Sequence, residues 1–137
     1  MRIVLDTNVL VSELIKKGKP RTLLFAIIRR HELILSKEVL EEFAETVAEP
    51  KLRKYVSEQD VARFLRDIAN AAKIVRVRSN FKVVEEDPDD DVVLRTCHDG
   101  KARYVVSGDR HLLALRKFGR IRIVSVNEML KILKARR

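Results

Sequence analysis

The sequence predicts an α/β domain whose core is a parallel sheet of about five strands covered by helices on both faces. Three observations predict it. Short runs of Val, Ile and Leu recur along the chain, too short for helices and apolar enough to be buried on both sides. Longer stretches with apolar residues at helical spacing separate them. The junctions carry Ser, Asp or Pro, the residues that cap and stop elements.

Residues 2–5 form the first expected strand, and it stops abruptly at Asp6. Pro20 suits the first turn of a helix with Leu23, Leu24, Ile27 and Ile28 on its apolar face. Residues 32–35 are a second strand. Ser36 then reads as the N-cap of a helix carrying Val39, Leu40, Phe43 and Val47, which Pro50 is expected to end. Ser57 and Asp60 resemble a capping box before Val61, Phe64, Leu65 and Ile68. Residues 73–77 make a third strand. Asp87-Pro88-Asp89-Asp90 opens a helix through Val93, Leu94 and Cys97. Residues 103–106 are a fourth strand, stopped by Ser107-Gly108-Asp109 and followed by a short helix with Leu112, Leu113 and Leu115. Residues 120–124 are a fifth strand, and Ser125 with Glu128 boxes the start of a last helix.

Length and composition narrow the class. A chain of 137 residues is expected to be one domain, spanning 1–137. A single cysteine, Cys97, excludes an internal disulfide framework and a cysteine zinc site. No apolar stretch approaches the roughly 18 residues of a membrane span. Arg2 leads straight into a strand-like run without a cleavage signature, so a cytoplasmic protein is expected, with no membrane partner. The net charge of +9 favours a polyanionic partner, nucleic acid first. Basic residues are densest near the end, where Arg116, Lys117, Arg120, Arg122, Lys131, Lys134, Arg136 and Arg137 face one acid, Glu128.

The acids carry the chemistry. In parallel sheets ligands bind beyond the carboxyl ends of the strands. Asp6 ends the first strand and Asp109 lies just past the fourth, so both fall at that edge. Asp90 is in the first turn of the helix that leads to the fourth strand, and Glu42 borders the buried face of the helix after the second. Each acid alone could be a cap or a helix-dipole partner. Together they would repel unless a cation held them. With one Cys and three His in the chain, that ion would be hard: Mg²⁺ or Mn²⁺. Such ions activate water and stabilise displacement at phosphorus. A basic protein with an acidic, metal-loaded cleft is what is expected of a nuclease.

The same residues resemble the PIN domains. Asp6-Thr7-Asn8 after the first strand resembles their opening motif. Ser36-Lys37-Glu38-Val39-Leu40-Glu41-Glu42-Phe43 resembles the second, with Glu42 as its acid. Asp87-Pro88-Asp89-Asp90 followed by Leu94 resembles the third, with Asp90 as its acid, and Val105-Val106-Ser107-Gly108-Asp109-Arg110-His111-Leu112-Leu113 the fourth, with Asp109. The order is kept from residue 1 to about 126. The nearest likeness is to prokaryotic toxin components of toxin–antitoxin pairs, VapC-like in type. The resemblance implies an α/β/α sandwich and metal-dependent cleavage of single-stranded RNA. It implies that Asp6, Glu42, Asp90 and Asp109 bind Mg²⁺ or Mn²⁺, with Asn8 and Ser107 as polar support, and it implies a homodimer with an antitoxin partner. Asp91 competes with Asp90 for the third acid, although a helix would turn it about 100° away. Two other readings stand beside this one. A PIN fold could serve as a non-catalytic RNA-binding or interaction module. A small-substrate phosphohydrolase is the other, but its usual Asp-x-Asp is interrupted here by Asn8. Zinc finds no ligand spacing around His31 or His98, His111 reads as a surface residue of the short helix, and Cys97 falls among core positions.

Overall fold

A computed structural model describes residues 1–15, 21–84 and 88–135 of the chain. The expectations for Pro20 and Asp87 lie outside these residues. The described elements run β1 (Arg2–Leu5), α1 (Thr7–Ile15), α2 (Thr22–Arg30), β2 (Glu32–Ser36), α3 (Lys37–Val47), α4 (Pro50–Arg53), α5 (Glu58–Ala71) and β3 (Lys73–Val75). They continue with α6 (Pro88–Asp99), β4 (Tyr104–Val106), α7 (Arg110–Leu115), β5 (Lys117–Phe118), β6 (Ile121–Val124) and α8 (Val126–Ala135).

The strands form one six-stranded sheet in the order β3-β2-β1-β4-β6-β5, parallel except for β5. Side chains alternate across it with period two. Ile3, Leu5, Leu33, Leu35, Tyr104 and Val106 face one core with residues of α1, α2, α3, α5 and α8. Val4, Ile34, Val105, Ile121 and Ile123 face a second core under α6 and α7, which contribute Val93, Leu94, Cys97 and Leu112. Both faces of the central strands β1 and β4 are therefore covered. The chain reverses its winding between β1 and β4, so the topological switch point falls between them.

Register brings the strand ends level. Leu5 pairs with Val106 and Val106 with Val124. One residue on, Ser36, Asp6, Ser107 and Ser125 close the sheet with a transverse row of polar side chains. Backbone bonds from Asp6 N–H to the Val106 carbonyl (2.9 Å) and from Ser107 N–H to the Val124 carbonyl (3.0 Å) hold that row.

Several boundaries differ from the sequence reading. The chain turns from β1 into α1 without a loop, because the Asp6 carbonyl accepts the Val9 and Leu10 N–H groups at once (3.0 Å each). That helix had no stop signal to announce it. Pro50 does not end α3, which stops at Val47. It stands instead at the start of α4, where its missing N–H costs nothing. The third strand ends at Val75 rather than Val77, and the antiparallel β5 is too short to leave a hydrophobic pattern. The caps predicted at Ser36, Ser57 and Ser125 are formed, with Ser36 accepting from Val39 N–H and the other two in reciprocal boxes.

Candidate active site

The site is built on the polar row at the carboxyl edge. Asp6 is 5% exposed. Its Oδ2 accepts a 2.6 Å hydrogen bond from Ser107 Oγ, and its Oδ1 accepts the Thr7 N–H at 2.7 Å. Both oxygens are thereby fixed in direction, and the short hydroxyl bond has the length expected of a charge-assisted one. Ser107 is fully buried and works in both directions: its Oγ also accepts the Asp109 N–H at 2.9 Å. One hydroxyl thus joins the ends of β1 and β4. Asp109, half-buried, is the N-cap of α7, with Oδ1 accepting from His111 N–H (2.8 Å) and Leu112 N–H (3.1 Å).

Asp90 reaches the same edge from α6. Thr96 Oγ1 lies 2.8 Å from Ser36 Oγ, and Gly100, one turn later, lies over Ile34. The helix therefore runs from the carboxyl edge toward the amino edge. Asp90 is six residues before Thr96, about 9 Å further along the axis on the carboxyl side. Gly100 makes this packing close: a Cβ there would sit 2.5 Å from Ile34 Cγ2. Asp90 is 4% exposed. Glu42 is half-buried on α3, the helix that starts from Ser36 in the same polar row.

Asp91, the competitor for the third acid, has a different occupation. Its Oδ1 accepts the N–H groups of Val83 (2.8 Å) and Val84 (2.9 Å). It closes the segment before α6 against the helix. Asn8 is exposed on the first turn of α1 and lines a cavity of about 430 Å³ with Ser12, Glu13, Ser107, Gly108 and Asn127. Glu13, 2% exposed, is a buried carboxylate that the sequence reading missed. Its signal was its place about two helical turns beyond Asp6, visible only once Thr7–Ile15 is known to be helical.

The other reactive groups are engaged elsewhere. His31 Nδ1 is 3.1 Å from the amino terminus and His98 Nδ1 is 3.0 Å from Asp99. Cys97 is buried, and burial pushes its thiol far above the usual range, so it is core rather than nucleophile.

Asp6, Ser107 and Asp109 are thus joined through the Ser107 hydroxyl, while Asp90 lies on α6 and Glu42 on α3. Among the described residues no three His, Cys, Asp or Glu side chains converge on one metal position. The donor set nonetheless fits a hard divalent ion. It offers carboxylate oxygens alone, and Mg²⁺ keeps several waters and needs only one or two carboxylates.

The comparisons with known proteins agree with this fold. A PIN domain model matches residues 2–111, and the chain belongs to that family, whose members are generally nucleases. The fold is similar to that of VapBC2 from Rickettsia felis, crystallised with a DNA fragment from their promoter (TM-score 0.65, 13% identity, 91% of this chain and 98% of that one). It is also similar to PAE2754 from Pyrobaculum aerophilum (TM-score 0.66, 16% identity, 98% of this chain and 90% of that one). No curated protein matches the sequence. Among the described residues no helix is long and apolar enough to cross a membrane.

Proposed function

We propose that this protein is a metal-dependent endoribonuclease that cuts single-stranded RNA, acting as the toxin component of a toxin–antitoxin pair. One observation carries the reading: a buried Asp6, aimed by the Ser107 hydroxyl at 2.6 Å, stands at the switch point of a parallel sheet with Asp90 at the amino end of the helix above it. Burying carboxylates costs several kcal/mol unless something positive repays it. A fold that keeps two of them at the one edge where ligands bind has a use for the charge.

Asp6, Glu42, Asp90 and Asp109 are the residues that would hold one or two Mg²⁺ or Mn²⁺ ions. Such an ion supplies an activated water and a charge sink for phosphate oxygens. The chain's own part is positional. Ser107 fixes the direction of Asp6 Oδ2 and, through the Asp109 N–H, the start of α7. Asp109 Oδ1 is occupied as a cap, so its position is set by the helix it begins. Asn8, exposed in the cavity it shares with Ser107, would meet the substrate there. The net charge of +9 supports a polyanionic substrate and salt-sensitive binding.

The toxin role rests on the Rickettsia neighbour, which was crystallised as VapBC2. By extension this chain would act in the cytoplasm, form a homodimer and be held inactive by an antitoxin. The test of the activity is cleavage of end-labelled single-stranded RNA with Mn²⁺ or Mg²⁺. Cutting that stops with EDTA and in Asp6→Asn supports the reading. RNA binding without cutting across several substrates supports a non-catalytic module, and cleavage confined to small phosphoesters supports a phosphohydrolase.

A further inference from the structure

Beside the acidic edge lies a basic groove that the chemistry above does not use. It occupies about 950 Å³ between α7, the β5–β6 hairpin and the first turn of α8. Arg116, Lys117 and Arg122 form its rim, and Leu113, Ile123 and Val124 are among its apolar lining. Among the described residues, neither Arg116 nor Lys117 lies within 4 Å of a carboxylate. Arg122 is stacked over the Tyr104 ring at 5.7 Å, which holds its head in place. The one acid of the groove, Glu128, is occupied in capping the Ser125 N–H at 3.1 Å.

The backbone at Arg116 is a second, independent observation. Arg116 has φ +59° and ψ −41°, a region that side-chain-bearing residues rarely enter. The conformation is pinned by the Arg116 N–H bond to the Leu113 carbonyl (3.2 Å) and by the Ile123 N–H bond to the Arg116 carbonyl (2.9 Å). Glycine would take this place at lower cost, as it does at Gly119, φ +59°. Local strain retained by an unpaired cation in a groove is the pattern of a functional position.

The groove also leads to the site. Val124 and Glu128 line it, while the intervening Ser125, Val126 and Asn127 line the cavity shared by Asn8, Ser107 and Gly108. A chain lying in the groove and crossing the first turn of α8 arrives at the cavity of Asn8 and Ser107, whose hydroxyl bonds Asp6 and the Asp109 N–H. We infer that this groove is the track for one arm of the single-stranded RNA, with phosphates on Arg116, Lys117 and Arg122 and bases or riboses against the apolar lining. A cationic rim over an apolar lining suits a flexible single strand, which offers both surfaces. The inference rests on the ribonuclease reading for the strand's destination, though not for its own measurement.

The test is the affinity of a fluorescent single-stranded RNA dodecamer, read by anisotropy in EDTA across a salt series. Arg116→Gly/Lys117→Ser is compared with Arg29→Ser/Arg30→Ser on α2, which removes the same charge elsewhere. The groove variant is expected to lose about tenfold or more in affinity at low salt, and its log–log salt slope to fall by about 1.4, near 0.7 per lost phosphate contact. The α2 variant should keep the slope. Arg116→Gly alone should weaken RNA binding while its melting temperature stays level or rises, because it relieves the backbone; a purely structural arginine would lower it. No measurable binding by the unaltered protein, or equal losses in the two double variants, overturns the groove, and a groove shaped for an acidic protein segment would give the latter. If the unaltered protein binds but never cuts while the groove variant still loses affinity, the ribonuclease reading fails and the groove stands.

Discussion

Two acidic regions of the molecule look alike in the sequence and behave differently in the fold. One is the carboxyl edge, with Asp6, Ser107 and Asp109. The other is the outer face of α6, where Asp91, Arg95 and Asp99 recur every four residues and clasp the segment 78–84. Asp99 Oδ2 accepts the Arg78 N–H (2.6 Å), the Ser79 N–H (2.9 Å) and the Ser79 hydroxyl (3.0 Å). Arg95 donates to the Phe81 carbonyl at 2.8 Å, and Asp91 takes the Val83 and Val84 N–H groups. That segment has no ladder partner, so side chains one helical stripe apart satisfy its backbone instead. Asp91 Oδ1 and Asp99 Oδ2, held on the amides of the segment before the helix, are holding structure. An acid at a strand end, aimed by a hydroxyl toward the ligand edge, is holding something else.

Substitutions can break or sharpen the contrast. Asp6→Asn is expected to cut RNA cleavage by about 100-fold or more while the fold survives, since the amide oxygen can still accept from Ser107; activity and a thermal melt would show this together. Asp91→Ala should do the reverse, leaving the site's charges in place but costing about 2–4 kcal/mol in urea unfolding, because two amides lose their acceptor. Ser107→Ala should cost about 1–2 kcal/mol and reduce activity, with Ser107→Thr restoring most of both by keeping the hydroxyl; a Thr variant no better than Ala would show that the hydroxyl is not the working part. The smallest effect is one of pH. Desolvation raises the Asp99 carboxyl, but bonds from Ser79, His98 and Arg78 outweigh it and hold it down to about 2, from 3.8. Its folded value is below its unfolded one, so its contribution is present above about pH 4 and is lost as pH falls toward 2. Asp99→Asn should flatten the unfolding free energy over that window.

Much of the fold was legible because β1, β2, β4 and β6 are buried on both sides and each ends at a polar residue. Asp6, Ser36, Ser107 and Ser125 are at once the stops that mark the strands and the row that closes the sheet. Strand order was not legible, nor was β5, because two residues leave no period to read. The loop-free passage from β1 into α1 hid that helix, and with it the burial of Glu13. At the site, the acids were visible by position, but a run of adjacent aspartates could not be divided from sequence. The difference between Asp90 and Asp91 lies in the amides of Val83 and Val84, which are brought to the helix only by the path of the loop.

The most direct test of the account is to compare Asp90→Asn with Asp91→Asn in metal-dependent cleavage of one labelled single-stranded RNA, with circular dichroism on both. The account predicts that Asp90→Asn folds normally and loses cleavage, while Asp91→Asn is less stable yet still cuts when folded. Cleavage that survives Asp90→Asn but vanishes in a well-folded Asp91→Asn would contradict it and move the third acid to Asp91.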